Sequence, residues 1–321
     1  MKSLFRLLPL LRHDAFQSGS DLAQVLGVTR PTVASWAAEL AELGVDIHVV
    51  KGRGYRLAEP ISLLNRDVIL ANLDASLRSV LQVLDIQTDL DSTNRWVMEQ
   101  QPAPGRWSIC AAEYQYQGRG RRGRVWRSPP ASNLMVSIAL REDLPNQALY
   151  ASSLLAGVAT ARALRSELAV PVSLKWPNDL YIEDAKLGGI LCELQGNPQD
   201  RPLLAIGIGL NVSRKPEGLD QPAVALAEKV RGPLDRNRLL VAVVNQLHAV
   251  LTQAQQDGGL VELLAEWGEY DCLRGRTVRL LLAERSETVI ARGVDGAGQL
   301  VVEAENGRRF SVNGGEVSVR W

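Results

Sequence analysis

Apolar residues recur along this chain in three successive rhythms, and each predicts a different kind of element. Over residues 1–60 the rhythm is helical. Leu22, Val25 and Leu26 fall on one face of a helix opening near Ser20 and stopping at Gly27. Thr29 is a good N-cap, and Pro31 sits in the first turn, where its missing N–H is harmless. Val33, Trp36, Ala37, Leu40 and Leu43 then repeat at helical spacing. Helix, short glycine turn and second helix is the helix-turn-helix pattern, with Arg30, Thr32 and Ser35 near the start of the second helix expected to face a DNA groove. From 46 to 57 apolar and polar residues alternate around Lys51-Gly52-Arg53-Gly54, which predicts a two-stranded wing with Lys51 and Arg53 at its tip.

Over residues 61–270 the rhythm switches back and forth. Residues 108–115, 133–140, 172–176, 189–194 and 203–211 read as strands, and 149–168, 235–255 and 260–267 carry helical periodicity. Gly207 and Gly209 inside a strand imply another group lying close against its backbone. The expectation is an α+β domain, one mixed or largely antiparallel sheet backed by helices. Over residues 271–321 five short apolar runs (276–282, 287–292, 299–303, 308–312 and 316–320) are separated by glycine or polar turns, which suits a small SH3-like β-barrel.

At 321 residues the chain suits two or three domains, and its 36 basic and 36 acidic residues cancel. Bulk charge therefore selects no partner, and any nucleic-acid contact must come from a local patch. Cys110, Cys192 and Cys272 are widely spaced among apolar neighbours, which argues against a disulfide framework or a zinc site. The apolar start of the chain is interrupted by Arg6 and Pro9 and predicts a small helix rather than a signal peptide. No run approaches the ~18 apolar residues of a membrane span, so a soluble, cytoplasmic protein is expected.

The densest chemistry lies at 118–127, where Arg119, Arg121, Arg122, Arg124 and Arg127 alternate with glycines at 118, 120 and 123 and no acid intervenes. Arginine offers a permanent charge and a planar fork of donors suited to phosphate or carboxylate. Glycine lets the backbone turn and approach a ligand closely. Alone, such a run is equally an RNA-binding or merely solvated basic stretch.

Other segments decide between these. Asp91-Ser-Thr-Asn94, Glu113-Tyr-Gln115, the arginine run through Trp126, Lys175-Trp-Pro-Asn-Asp-Leu180 and Lys186-Leu-Gly-Gly-Ile-Leu191 occur in that order. Together they resemble the biotin–protein ligases, and the N-terminal module makes the whole chain similar to the bifunctional bacterial form, ligase and biotin-operon repressor in one. The resemblance implies a winged helix-turn-helix over 1–60. It implies a catalytic domain over 61–270 with a mixed sheet like that of class II synthetases, and the β-domain over 271–321. It implies biotin and ATP as substrates, with Mg²⁺. Its partners would be a biotin carboxyl carrier domain, operator DNA and a second copy of the chain once the adenylate is bound. Lys-Leu-Gly-Gly stands where some relatives have Lys-Leu-Ala-Gly.

Carried over residue by residue, Ser92, Thr93, Asn94 and Gln115 are the neutral partners of a ureido head group, with Ser92 and Thr93 equally suited to capping a helix. Arg119, Gly120, Arg121 and Lys186 meet the carboxylate and phosphate. Arg121, Arg122, Trp126, Asn178 and Asn211 serve the nucleotide, with a core tryptophan the alternative for Trp126. Asp179 orients and deprotonates the acceptor lysine, or else serves Mg²⁺ with Asn178; the metal ligands stay open. Competing expectations are a lipoate- or octanoate-type ligase on the related fold, a non-enzymatic ligand-sensing repressor, and an RNA-binding protein.

Overall fold

The computed structural model describes residues 3–141, 143–197, 200–216, 218, 221–281, 286–314 and 318–320. Two 3-10 turns, Ser3–Arg6 and Leu8–Leu10, precede helices α1 (Gly19–Leu26) and α2 (Arg30–Glu42) and the hairpin of β1 (Ile47–Val50) with β2 (Gly54–Leu57). Ser18 caps α1 and Gly27, at φ 66°, ends it; the Thr29 hydroxyl accepts from the Thr32 N–H at the start of α2. The winged helix-turn-helix expectation holds, with one correction inside it. Val25 is 68% exposed, and Ala23 joins Leu22 and Leu26 against Val33, Ala37 and Leu40. A helix positions 22, 23 and 26 on one stripe as readily as 22, 25 and 26; the angle at which α2 crosses decides between them.

This module is not a separate bead. Phe5 stacks on Tyr114 with centroids 5.2 Å apart and meets Tyr116 edge-on at 6.2 Å. Tyr114, Tyr116 and Ala131 thus complete its core.

The central sheet has seven strands in the order β3-β4-β5-β9-β8-β7-β6, after helices α3 (Arg66–Asn72) and α4 (Ala75–Val80). They are β3 (Leu81–Gln87), β4 (Trp107–Ala112), β5 (Leu134–Leu140), β6 (Ser173–Lys175), β7 (Asp179–Ile182), β8 (Ala185–Gln195) and β9 (Leu203–Leu210). Only the β3–β4 pairing is parallel. Helix α5 (Thr93–Glu99) covers one face, where Val97 packs on Cys110, Ala139, Leu203 and Ala205. The opposite face carries the large core, formed with α6 (Asn146–Tyr150), α7 (Ser152–Leu168), α8 (Arg236–Ala254) and α9 (Gly259–Tyr270). With both faces covered, β4 and β5 are buried at every residue, which is why they read as unbroken apolar runs.

Five strands close the chain: β10 (Thr277–Leu281), β11 (Ser286–Val294), β12 (Leu300–Glu303), β13 (Arg309–Val312) and β14 (Ser318–Arg320). They form one antiparallel sheet in the order β13-β12-β11-β10-β14. Residues 282 and 316–317 of the expected strands lie outside the described residues. Val278, Leu280, Val289, Ala291, Leu300 and Val302 join the core of the central domain. The Trp176 indole N–H donates to the Gly298 carbonyl at 3.1 Å, so this sheet is seated against the strand turn that carries the Trp-Pro-Asn-Asp motif.

Candidate active site

Every motif side chain singled out for ligand binding or catalysis lines one cavity of about 220 Å³ on the β5–β9–β8–β7 part of the sheet. At its inner end lies a neutral cluster. Ser92 occupies the N-cap of α5, but its side chain makes no capping bond; the Gln115 Oε1 accepts the Thr93 N–H instead, at 2.7 Å. Ser137 Oγ, fully buried on β5, donates to Asn94 Oδ1 at 2.5 Å and lies 2.7 Å from Thr93 Oγ1. Ser137 gives its one proton to Asn94, and the one proton of the Thr93 hydroxyl is taken within the cluster, between Gln115 Oε1 at 3.1 Å and Ser137 Oγ, so the Thr93 lone pairs are left for a ligand N–H. Asn94 Nδ2 donates to the Leu191 carbonyl and, at 2.8 Å, to Glu193 Oε2. A Cβ on Gly207 would lie 2.2 Å from Asn94 Oδ1, so the strand glycine there is what admits the amide. Sequence reasoning missed Ser137, although a lone hydroxyl in an otherwise apolar strand was the signal.

The segment after β4 that presents Gln115 is pinned by a buried ion pair at Glu113. Glu113 accepts from Arg236 at 2.7 Å and from the Leu64 N–H at 2.6 Å, while Arg236 also donates to the Ser62 and Asn133 carbonyls. With 1% and 5% side-chain exposure, each charge has its lost hydration offset by several hydrogen bonds.

The arginine run folds back on itself as a small hairpin. The Trp126 N–H donates to the Gly118 carbonyl at 2.8 Å and the Gly120 N–H to the Arg124 carbonyl at 2.7 Å. Two glycine roles therefore differ from expectation. Gly118 is needed because a Cβ would sit 2.5 Å from the Trp126 carbonyl, and the Gly120 N–H is already committed within the hairpin. Arg119 donates to Glu193 at 2.8 Å, and Arg121 donates to Asn178 Oδ1 at 3.1 Å and to the Gly314 carbonyl of the C-terminal domain. Burial, then repulsion from Arg122, lowers the Arg121 guanidinium below its ordinary value.

Strands β7 and β8 form a tight hairpin that sets Asp179 against Lys186, Nζ to Oδ1 at 2.7 Å and both largely buried. Asn178 bridges Arg121 and the Ile190 carbonyl. Across the sheet the Trp126 indole lies on Gly209, where a Cβ would meet the ring at 2.7 Å. Trp126 is half-buried in the cavity wall rather than in a core. Its Nε1 and the Oδ1 of Asn211 are buried without a hydrogen-bond partner among the described residues, although Asn211 Nδ2 donates to the Val224 carbonyl. Two unsatisfied polar atoms on residues that line one cavity point to a ligand that supplies an acceptor and a donor.

Burial raises the thiols of Cys110, Cys192 and Cys272, the last two to about 12, so none offers a thiolate at neutral pH. No group of three or more His, Cys, Asp or Glu side chains able to hold a metal occurs among the described residues, and no helix among them is long and apolar enough to cross a membrane. On the N-terminal module Arg30, Ser35, Lys51 and Arg53 are exposed. Thr32 is half-buried, its hydroxyl 2.8 Å from that of Thr29, and the Arg53 guanidinium lies over Phe16 at 4.5 Å.

Known proteins place this geometry in a family. The biotin/lipoate A/B protein ligase family model matches residues 86–213, a helix-turn-helix domain matches 4–56, and the biotin protein ligase C-terminal domain matches 274–320. The bifunctional ligase/repressor BirA of Escherichia coli K12 is 37% identical over 98% of this chain and 96% of its own length. The biotin–[acetyl-CoA-carboxylase] ligase of Mycobacterium tuberculosis is 34% identical over 65% of this chain and 77% of its own. The biotin protein ligase of Aquifex aeolicus, solved in complex with biotin and ATP, superposes with a TM-score of 0.64 at 28% identity, covering 74% of this chain and 99% of that one. The motifs, their convergence in one cavity and the N-terminal module agree with these likenesses over nearly the full length: the chain belongs to the family of bifunctional biotin ligase/repressors.

Proposed function

We propose that this protein joins biotin to ATP as biotinyl-5′-AMP, passes the biotinyl group to a lysine of a biotin carboxyl carrier domain, and represses biotin-synthesis genes as an adenylate-bound homodimer on operator DNA in the cytoplasm. Residues 1–60, 61–270 and 271–321 would be its three working units. One observation carries the reading. A single cavity is lined by a neutral hydrogen-bonding cluster, by the arginine hairpin with Lys186, and by the residues of the unpaired Asn211 Oδ1 and Trp126 Nε1.

In the first step the biotin carboxylate attacks the α-phosphorus and pyrophosphate leaves. Two anions must meet, and Arg119, Arg121 and Lys186 offset the charge that builds up, with Arg122 toward the phosphates. Asn211 Oδ1 accepts the adenine amino group while Trp126 covers the ring. Ser92, Thr93, Asn94 and Gln115 order the ureido end. In the second step the acceptor amine attacks the acyl carbon and AMP leaves. That amine is protonated at neutral pH and must first lose a proton. When the adenylate draws Lys186 away, Asp179 is released to receive it. Mg²⁺ bound with the nucleotide would supply neutralisation of phosphate charge. Asp179, the one carboxylate in the described lining, and Asn178 are the residues that would hold it.

The test is incubation with biotin, Mg-ATP and a purified carrier domain, read by intact mass and pyrophosphate release, with lipoic and octanoic acids in parallel. The expected result is a carrier heavier by one biotinyl group and no gain with the other acids. A chain that releases no pyrophosphate and retains no adenylate refutes the reading.

A further inference from the structure

We infer that Glu193 is a positioning residue that ties Arg119, and with it the arginine hairpin, to the neutral cluster at the inner end of the cavity. The inference deepens the ligase reading and rests on it for its consequence. Glu193 stands on β8, outside every sequence motif that pointed to the site, and a carboxylate pointing from a sheet strand needs partners. It has two on one oxygen: Oε2 accepts from Asn94 Nδ2 at 2.8 Å and from Arg119 Nη2 at 2.8 Å.

The chain of constraint runs one way. Asn94 is 4% exposed and wedged against the Gly207 backbone, with its carbonyl oxygen taken by Ser137 and its amide also on the Leu191 carbonyl. Asn94 therefore cannot turn, and a carboxylate, which only accepts, is held by it in one place. Arg119 is the more exposed partner, sitting in a hairpin whose internal bonds fix its own shape and whose place over the sheet depends on side-chain contacts such as this one. With Nη2 on Glu193, Arg119, which lines the cavity, keeps its other guanidinium donors for a ligand. The Arg121–Asn178 bond anchors the same hairpin on its other side. With side chains 39% and 27% exposed, the Arg119–Glu193 pair is water-accessible, so its expected weight is modest, about fivefold in an equilibrium or a rate.

Glu193→Gln keeps size and an acceptor but removes the charge, and it is tested in the full-length chain beside Arg119→Gln and the double variant. In the ligand-free protein, trypsin should cut after Arg121, Arg122 and Arg124 about fivefold faster in Glu193→Gln, with no further gain in the double variant. Unchanged cleavage overturns the tether whatever the activity. With biotin and Mg-ATP, Glu193→Gln should release adenylate about fivefold faster at an unaltered KM for ATP, and the effect should vanish in the Arg119→Gln background. Additive losses would mean that Glu193 acts elsewhere and overturn the inference. A wild-type chain that makes no adenylate sinks the ligase reading instead, and the proteolysis still decides the tether.

Discussion

Lys186 and Asp179 hold each other at 2.7 Å with under a fifth of either side chain exposed, so removing one leaves the other charge poorly solvated in the cavity. Lys186→Ala should cut adenylate formation by about two orders of magnitude, the usual effect of deleting one charge-stabilising donor. Single-turnover pyrophosphate release measures it, and an unaltered rate removes Lys186 from the chemistry. Arg121→Ala loses both Asn178 and the Gly314 carbonyl, and should let the adenylate escape faster as well as slowing its formation. Asp271 offers a residue-scale prediction for stability. Burial pushes its carboxyl from 3.8 up to about 6; one oxygen accepts the Leu273 N–H and the other is buried without a partner among the described residues. A folded value above the unfolded one means stabilisation that is complete below pH 3.8 and lost as the pH climbs through 6. At ~1.4 kcal/mol per pH unit the loss is at most about 3 kcal/mol. Asp271→Asn, which keeps the acceptor for Leu273, should flatten the fall in denaturation midpoint between those pH values; an equally steep fall would assign it to other groups.

Strand β9 shows how an element builds a site without contributing a charge. Gly207 admits the Asn94 amide and Gly209 admits the Trp126 indole, so two glycines spaced one residue apart on one face make room for two of the cavity's lining side chains. Gly209→Val should push Trp126 off the sheet and weaken ATP binding by about tenfold while leaving biotin binding alone nearly intact; calorimetry with each ligand separately decides it. These glycines were legible in the sequence because a residue without a Cβ weakens an apolar strand unless something packs closely against its backbone. The same holds for β4, β5 and β9, whose two covered faces leave unbroken apolar runs. Two strands were not legible: β3 is a half-buried parallel edge with mixed residues, and β7, inside the sheet, is four residues directly after Pro177-Asn178. Periodicity also misplaced Val25, because it gives a helix a face but not the neighbour that chooses it. Within the site, motif order identified which side chains converge, whereas Ser137 and Glu193 act through partners 43 and 74 residues away, a link that only the fold makes.

At the scale of the molecule, the N-terminal module and the cavity share parts. Phe5 stacks on Tyr114 and meets Tyr116 edge-on, the two neighbours of Gln115, and Arg214 reaches back to Asp46 and to the Gly44 carbonyl. Deleting residues 1–60 should therefore abolish DNA binding and also loosen the biotin end of the cavity, seen as a raised KM for biotin. Charge adds a further demand. The module carries seven basic against six acidic residues, too little excess for one copy to hold DNA tightly at physiological salt. Two copies on a two-fold site would double the phosphate contacts and fix their spacing, so the proposed repression calls for pairing. On the proposed reading pairing would depend on ligand, so that repression follows biotin supply, and the arginine hairpin, tied to both the sheet and the C-terminal domain, is the element whose order a bound adenylate would complete. Sedimentation should show self-association strengthened by biotin with Mg-ATP and unaffected by either alone, with operator binding rising in step and weakening steeply as salt is added. Self-association indifferent to the ligands would separate the ligase from the repressor and leave the hairpin a lid only.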